Sequence, residues 1–430
     1  MNSDRINQLS LYEMSDAIHQ GKLSATRIME ACIERIQQRE SEVHAWENID
    51  IEAALAQAHK YDQHTPKGAL YGLPIGVKDT IDTIDFPTGR GTPIYANKAA
   101  LWDASGVALV KRAGGIVLGK TVTTEFAYFR PGETANPHNL AHTPGGSSSG
   151  SAAAVADFMV PAALGSQTAG SLIRPASYCG VVAYKPTFGD FSLGGIRPLS
   201  HSLDTLGVIT RTVQDAALMR SVLLNVPFTP INSKTNLPPR IAFCHTPSWL
   251  EADSYTRAQL EKTAFSLAIG NAQVSTVELP SICDDLVAVQ KCIMAYEAAH
   301  HMCFEYDNHK EKLSLQIIDL IEEGMSIPRE DYLLAQATAQ RAREEISALF
   351  ENWDVILSPA APGEAPLGLD ATGDPIFSRM WNLLGLPSLN IPAFRGENQL
   401  PVGIQVVGAQ GEDTRLLQVA MWIEEKLKTK

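Results

Sequence analysis

From about Tyr71 onward the chain is built of short apolar runs punctuated by glycine and proline, among them LPIGV, GGIVLGK and GVVAYKP, mixed with helical stretches such as Gly106 to Arg112. Runs of this length bounded by turn residues read as strands, and strands alternating with helices imply an α/β sheet protein. Ahead of that texture the first sixty residues read as helical. Ala25, Ile28, Met29, Cys32, Ile33 and Ile36 recur at helical spacing after a Ser24 cap, an amphipathic pattern with one face to bury. Asn225 to Arg240 concentrates Pro, Asn, Ser and Thr and reads as a linker. Beyond it come a strand-like RIAFCH, charged amphipathic helices over 285–350, strand-like VILSP, SLNIPA and VGIQVVG, and a terminal helix from about Asp413. No repeat of 20 to 50 residues is visible in the sequence.

Length and composition bound the classes. At 430 residues the length alone favours two or three domains, and 45% hydrophobic with 19% charged residues fits a soluble globular chain and excludes a disordered or collagen-like one. Lys plus Arg number 35 against 48 Asp plus Glu, and the net charge of −13 argues against binding nucleic acid by phosphate neutralisation. The most apolar stretch, Gly150 to Gly165, is Ala-rich and broken by Asp157 and Pro161, so no membrane span is expected. The opening MNSDRINQLS is polar and unlike a secretory signal. Cys32, Cys179, Cys244, Cys283, Cys292 and Cys303 show no C-x-x-C spacing, which suits reduced thiols better than a disulfide framework or a zinc site. A cytoplasmic protein without a metal or other cofactor is expected.

Three segments could carry chemistry, and each has a plainer reading. Lys78 ends the apolar run of GLPIGVKD; such a lysine is ordinarily a solvated edge charge, but burial would lower its pKa and leave a neutral amine able to accept a proton. The second segment, TPGGSSSGS at 143–151, could be a flexible loop. It fails as a phosphate cradle, because Gly150 is followed by Ser151 and Ala152 rather than by Lys and Ser or Thr. It formally contains G-x-S-x-G centred on Ser148, yet that elbow must follow a buried strand and the preceding NPHNLAHTP is polar and turn-like. The third is GSQTAGSLIRPASYCG at 165–180. An isolated Ser171 would be a cap or turn residue, whereas the small Thr168, Ala169 and Gly170 ahead of it could turn successive N–H groups towards one point and stabilise an oxyanion.

In order and spacing the three segments together resemble the amidase signature family: a lysine after an apolar strand, a Gly-Gly-Ser-Ser loop, and a Gly-Ser whose serine lies 24 positions beyond the loop's first serine, here Ser147 to Ser171. The resemblance continues through CGVVAYKPTFG, SLDTLGVITRTVQD at 202–215 and LPVGIQVVG, covers nearly the whole chain, and is strongest over 70–215. It implies a large mixed β-sheet flanked by helices on both faces. Strands on either side of the 225–240 segment would enter that sheet, making the chain a single domain over 1–430. Within it lie a helical segment at about 1–65, a core with the motifs at about 66–225, a helical insertion at about 285–350, and terminal strands and helix at about 353–430. Carried over residue by residue, the nucleophile falls on Ser171, the bridging serine on Ser147 and the base on Lys78, with a cis peptide at Gly146–Ser147. The oxyanion donors fall on the amides of Thr168, Ala169, Gly170 and Ser171, and Ser148 and Gln167 are grouped with these binding residues.

The implied activity is cofactor-free hydrolysis of C–N bonds in small carboxamides, with carbamates and urea-like compounds also within the family. The alternatives are the glutamine-hydrolysing component of a tRNA-dependent amidotransferase and a non-catalytic binding protein of the same fold. The expected partner is a small-molecule amide, with neither nucleic acid nor membrane, and a homodimer is left open. The chain departs from the family pattern at Gln167, where aspartate is common, and at Ala169 and Ser149, which replace glycines; Arg174 stands three rather than two positions after the nucleophile, which leaves it without an assigned role.

Other candidates take plainer readings. His301, Glu305 and His309 share a helical spacing that could hold a metal but are read as surface or packing residues. Cys179 reads as a packed thiol, and Asp204 and Asp215 as turn and cap residues. Asp79 should face away from its neighbour Lys78. The region 285–350 and the loop at 358–366 are expected to help enclose the acyl group.

Overall fold

The computed structural model describes residues 3–232 and 237–428. Its centre is one sheet of eleven strands: β1 (Trp46–Ile49), β2 (Pro74–Lys78), β3 (Ile116–Thr121), β4 (Ala162–Gln167), β5 (Val182–Lys185), β6 (Thr205–Thr210), β7 (Arg240–Cys244), β8 (Gln273–Val277), β9 (Val355–Pro359), β10 (Ser388–Arg395) and β11 (Pro401–Gly408). Their spatial order is β1-β3-β2-β4-β6-β5-β10-β11-β9-β7-β8. Parallel pairs join β2 to β3 and β4, and β7 to β8 and β9; the remaining neighbours are antiparallel, so the sheet is mixed, as expected. Strands from both sides of the 225–240 segment enter this sheet, contrary to the two or three units that length alone favours. Residues 233–236 of that segment lie outside the described residues.

Successive side chains on a strand point to opposite faces, and both faces are covered. Val77, Leu164, Val208 and Leu389 pack against helices Leu11–His19, Ser105–Arg112, Val213–Leu223, Ser254–Ile269 and Asp413–Lys428. On the other face Leu118, Ala163, Ala183 and Ile209 meet helices Ala25–Val43, Ile51–Asp62, Ser149–Ala156 and Ile173–Cys179. Further along that face, Ala242, Ile356 and Val407 are covered by helices Leu286–His301, Leu315–Ser326, Arg329–Ser347 and Ile376–Leu383. Among the described residues no helix is long and apolar enough to cross a membrane.

The Ser24 side chain accepts from the Arg27 amide and starts helix Ala25–Val43, as its sequence pattern indicates. The wholly helical reading of the first sixty residues fails at β1. His44 adopts a left-handed conformation that ends the helix, and Trp46 and Ile49 then pair with Thr121 and Gly119 of β3. Gly119 permits that approach, since a Cβ there would stand 2.2 Å from the Asn48 carbonyl oxygen.

Topology places the motifs. Strands β2 and β4 are parallel neighbours, Val77 opposite Leu164, so Lys78 and the loop after Gln167 leave the sheet at the same edge. Strand β6 runs antiparallel to β4 with Thr205 opposite Gln167, which brings Asp204 to that edge as well.

Candidate active site

Lys78 is completely buried, because β2 is an interior strand with neighbours on both sides. The solvated-edge reading is thereby excluded. Its Nζ lies 2.6 Å from Ser147 Oγ and 2.9 Å from Ser166 Oγ, with the Ser166 carbonyl at 3.4 Å. Burial pushes its pKa down to about 7, and the Asp204 carboxylate opposes that only in part. Asp79 points elsewhere: it forms a buried ion pair with Lys120 at 3.0 Å and accepts the Gly89 and Arg90 amides at 2.9 Å each.

The serine loop is held from below by Arg174. The peptide between Gly146 and Ser147 is cis. Arg174 Nη2 donates to the Gly146 carbonyl at 2.6 Å and to Thr372 Oγ1 at 3.0 Å, while Nη1 donates to the Gly373 carbonyl at 2.8 Å. The displaced arginine therefore does have a place, fixing the residue just ahead of Ser147. Ser148 stands behind the loop rather than in its cavity: its Oγ bonds the Ser166 carbonyl at 3.3 Å and its amide donates to the Ser171 carbonyl at 3.3 Å. No strand precedes it over 130–147, so the elbow geometry required of a Ser148 nucleophile is absent, and its grouping with substrate-contacting residues is corrected.

The loop after β4 is shaped by its own side chains and by three distant segments. Gln167 Oε1 accepts from the amides of Leu172 at 2.9 Å and Ile173 at 3.2 Å, and its Nε2 reaches Asn382 Oδ1 at 3.4 Å. Gln167 is thus a brace under the loop, and its grouping with residues that touch substrate is corrected. Asn382 Nδ2 at 2.7 Å and Gln290 Nε2 at 3.2 Å donate to the Thr168 carbonyl, and Thr168 Oγ1 donates to Asp204 Oδ1. Among the described residues the amides of Ala169, Gly170 and Ser171 have no acceptor within the chain. Those donors, with Ser147, Ser171, Tyr128, Phe129, Arg174 and Arg379, line a small cavity of about 20 Å³. The arrangement brings a buried amine, two hydroxyls and a group of uncommitted amides to one small space, which is what proton relay and oxyanion stabilisation require.

Asp204 has more than the turn role its sequence suggests. It accepts the Leu199 and Ser200 amides at 2.8 and 3.1 Å, in keeping with a turn residue, but it is also the acceptor for Thr168, and burial raises its pKa to about 6. Ser166, which lies in the third segment but carries no expected role there, also belongs to the site, as do Gln290, Asn382 and Arg379, which no sequence motif marks. The remaining candidates stay outside. Glu305 is buried and pairs with Arg197 and the Tyr95 hydroxyl, His301 meets His201 at 3.0 Å, and among the described residues no group of three or more His, Cys, Asp or Glu could hold a metal. Cys179 is buried with its thiol pushed well above the usual range, its Sγ facing the Pro144 carbonyl.

Comparisons with known proteins agree with this architecture. The A subunit of the glutamyl-tRNA(Gln) amidotransferase of Oleidesulfovibrio alaskensis is 32% identical, the match covering 97% of each chain. A crystal structure of an amidase superposes with a TM-score of 0.88 at 30% identity, over 97% of this chain and 100% of that one. The native peptide amidase of Stenotrophomonas maltophilia gives 0.84 at 26% identity, over 98% and 97%. The family model for amidases matches residues 27–417. The chain belongs to the amidase family.

Proposed function

We propose that the protein is a free-standing amidase that cleaves the C–N bond of a small carboxamide through an acyl-enzyme on Ser171. The observation that carries this reading is the 2.6 Å contact between the buried Lys78 Nζ and Ser147 Oγ, at the cavity that Ser147 shares with Ser171 and its uncommitted amides. Neutral Lys78 takes a proton from Ser147 as Ser147 takes one from Ser171, and the Ser171 alkoxide attacks the carbonyl carbon. The amides of the 168–171 loop hold the resulting oxyanion. The relay then runs backwards, the nitrogen gains the proton, and the C–N bond breaks to release ammonia or an amine. Water attacks the Ser171 ester by the same relay and frees the carboxylic acid.

A second reading is favoured by the curated relatives, which are amidotransferase components: glutamine hydrolysis in a complex. Against it, the match to the Oleidesulfovibrio protein extends over 478 positions although this chain has 430 residues, so that protein carries segments absent here. The braced loop with Gln167 also departs from the pattern that accompanies the resemblance. Turnover of simple amides by the isolated chain supports the free-standing enzyme; glutaminase activity that appears only with a partner overturns it. Ser171→Ala should abolish both turnover and covalent labelling by a fluorophosphonate, and labelling that persists in this variant would move the nucleophile elsewhere.

A further inference from the structure

We propose that Arg379 binds a carboxylate of the substrate, so that the amide cleaved at Ser171 belongs to a short half-amide of a dicarboxylic acid; this rests on the amidase reading above. Arg379 lies on helix Ile376–Leu383, is 4% exposed, and lines both the small inner cavity and the larger outer cavity of about 570 Å³ beside it. Among the described residues only its Nη1 has an acceptor, Gln290 Oε1 at 2.5 Å. Its Nε is buried with no partner, and among the described residues no carboxylate stands within 4.0 Å of the guanidinium. The Asp374 carboxylate offsets the burial of this cation only from beyond ion-pair distance, and the edge left over, Nε with Nη2, is the one that takes a carboxylate side-on through two parallel hydrogen bonds.

The other charges around the cavities sharpen the assignment. Arg174 shares the inner cavity, but both its Nη atoms are committed to Gly146, Thr372 and Gly373. Elsewhere in the fold, Arg197 is matched by the buried Glu305. The outer cavity carries Glu323, Asp370 and Asp374 against Lys291, so an anionic group gains nothing by stopping there and is favoured only inward, at Arg379. The narrow inner cavity, about 20 Å³, leaves room for only a short spacer between the reacting amide and the carboxylate. If Arg379 served only to hold Gln290 beneath the Thr168 carbonyl, a single neutral donor would suffice.

The test compares malonamate, succinamate and glutaramate with methyl-ketone analogues in which CH3–C=O replaces the carboxylate, using the purified full chain. For at least one length the wild-type protein should prefer the acid by about 100-fold in kcat/KM, the size of a paired charged hydrogen bond. Arg379→Met should erase that ratio and Arg379→Lys restore part of it. A purely supporting role for Arg379 would lower both substrates in proportion and leave the ratio intact, which overturns the proposal. So does a wild-type protein that shows no acid preference at any length, and this outcome needs no variant. Failure of this inference alone is recognised by fluorophosphonate labelling of Ser171 with turnover of neutral amides; absence of labelling and of all amide turnover overturns the amidase reading and this inference together.

Discussion

Two strand ends in the sheet bury a lysine completely, and they differ in what surrounds it. At the end of β2, Lys78 faces the hydroxyls of Ser147 and Ser166 beside a cavity. At the end of β5, Lys185 donates, among the described residues, only to the carbonyl of Pro186 at 2.8 Å, and the nearby Asp413 is occupied by the hydroxyls of Tyr184 and Thr187 and the Thr187 amide. Burial pushes both lysines down to about 7, in each case against carboxylates that pull the other way. A depressed pKa is therefore a consequence of depth and occurs at both ends. Chemistry needs in addition a hydroxyl to exchange a proton with and a space where an acyl group can sit, and only the β2 end has both.

The sharpest way to break this comparison is to remove each amine. Lys78→Ala should lower kcat/KM by about 10³-fold, the scale of a lost general base, while Lys185→Met stays within about threefold of the wild type. Equal losses in the two variants would mean that Lys78 is as structural as its counterpart. A second measurement is the pH profile of kcat/KM. Protonated Lys78 cannot accept a proton, so activity should fall about tenfold per pH unit below about 7 and level off above it. Lys185→Met should leave that limb unchanged.

The smallest effect is on stability. Both lysines have folded pKa values below their unfolded value of 10.5, so between about 7 and 10.5 the unfolded chain binds more protons and stability rises with pH. Lys185→Met should flatten that rise without touching activity, as read from urea midpoints measured across this window. A rise of undiminished slope would show that Lys185 is charged in the folded protein.

The surroundings of Lys78 also divide what a sequence can reveal from what it cannot. The β2 run, the serine loop and the Gly-Ser after β4 lie in order along the chain, and their spacing is readable without coordinates, as is the alternation of strands and helices that builds the sheet. The supports are not readable in this way. Asp204 reaches Thr168 only because β6 returns antiparallel beside β4, a pairing no local pattern encodes. Gln290 and Asn382 are neutral amides in helices, with nothing in their neighbourhood of sequence to mark them. Arg174 is displaced by one position from the family spacing, yet a long side chain on the turn into a helix still reaches the Gly146 carbonyl. Strand β1 is hidden within a helical texture because four residues after a left-handed His44 are too few to show a period of their own.

The bracing of the Thr168 carbonyl by Gln290 and Asn382 bears on the order in which the protein is made. Every residue of the proposed proton relay is synthesised before position 172, but the two side chains that hold the Thr168 carbonyl follow more than a hundred residues later. A nascent chain emerging from the ribosome carries the serines and the lysine with no finished cavity around them. If the proposed mechanism holds, the helices that carry Gln290 and Asn382 delay completion of the Ser171 site until the polypeptide is nearly finished.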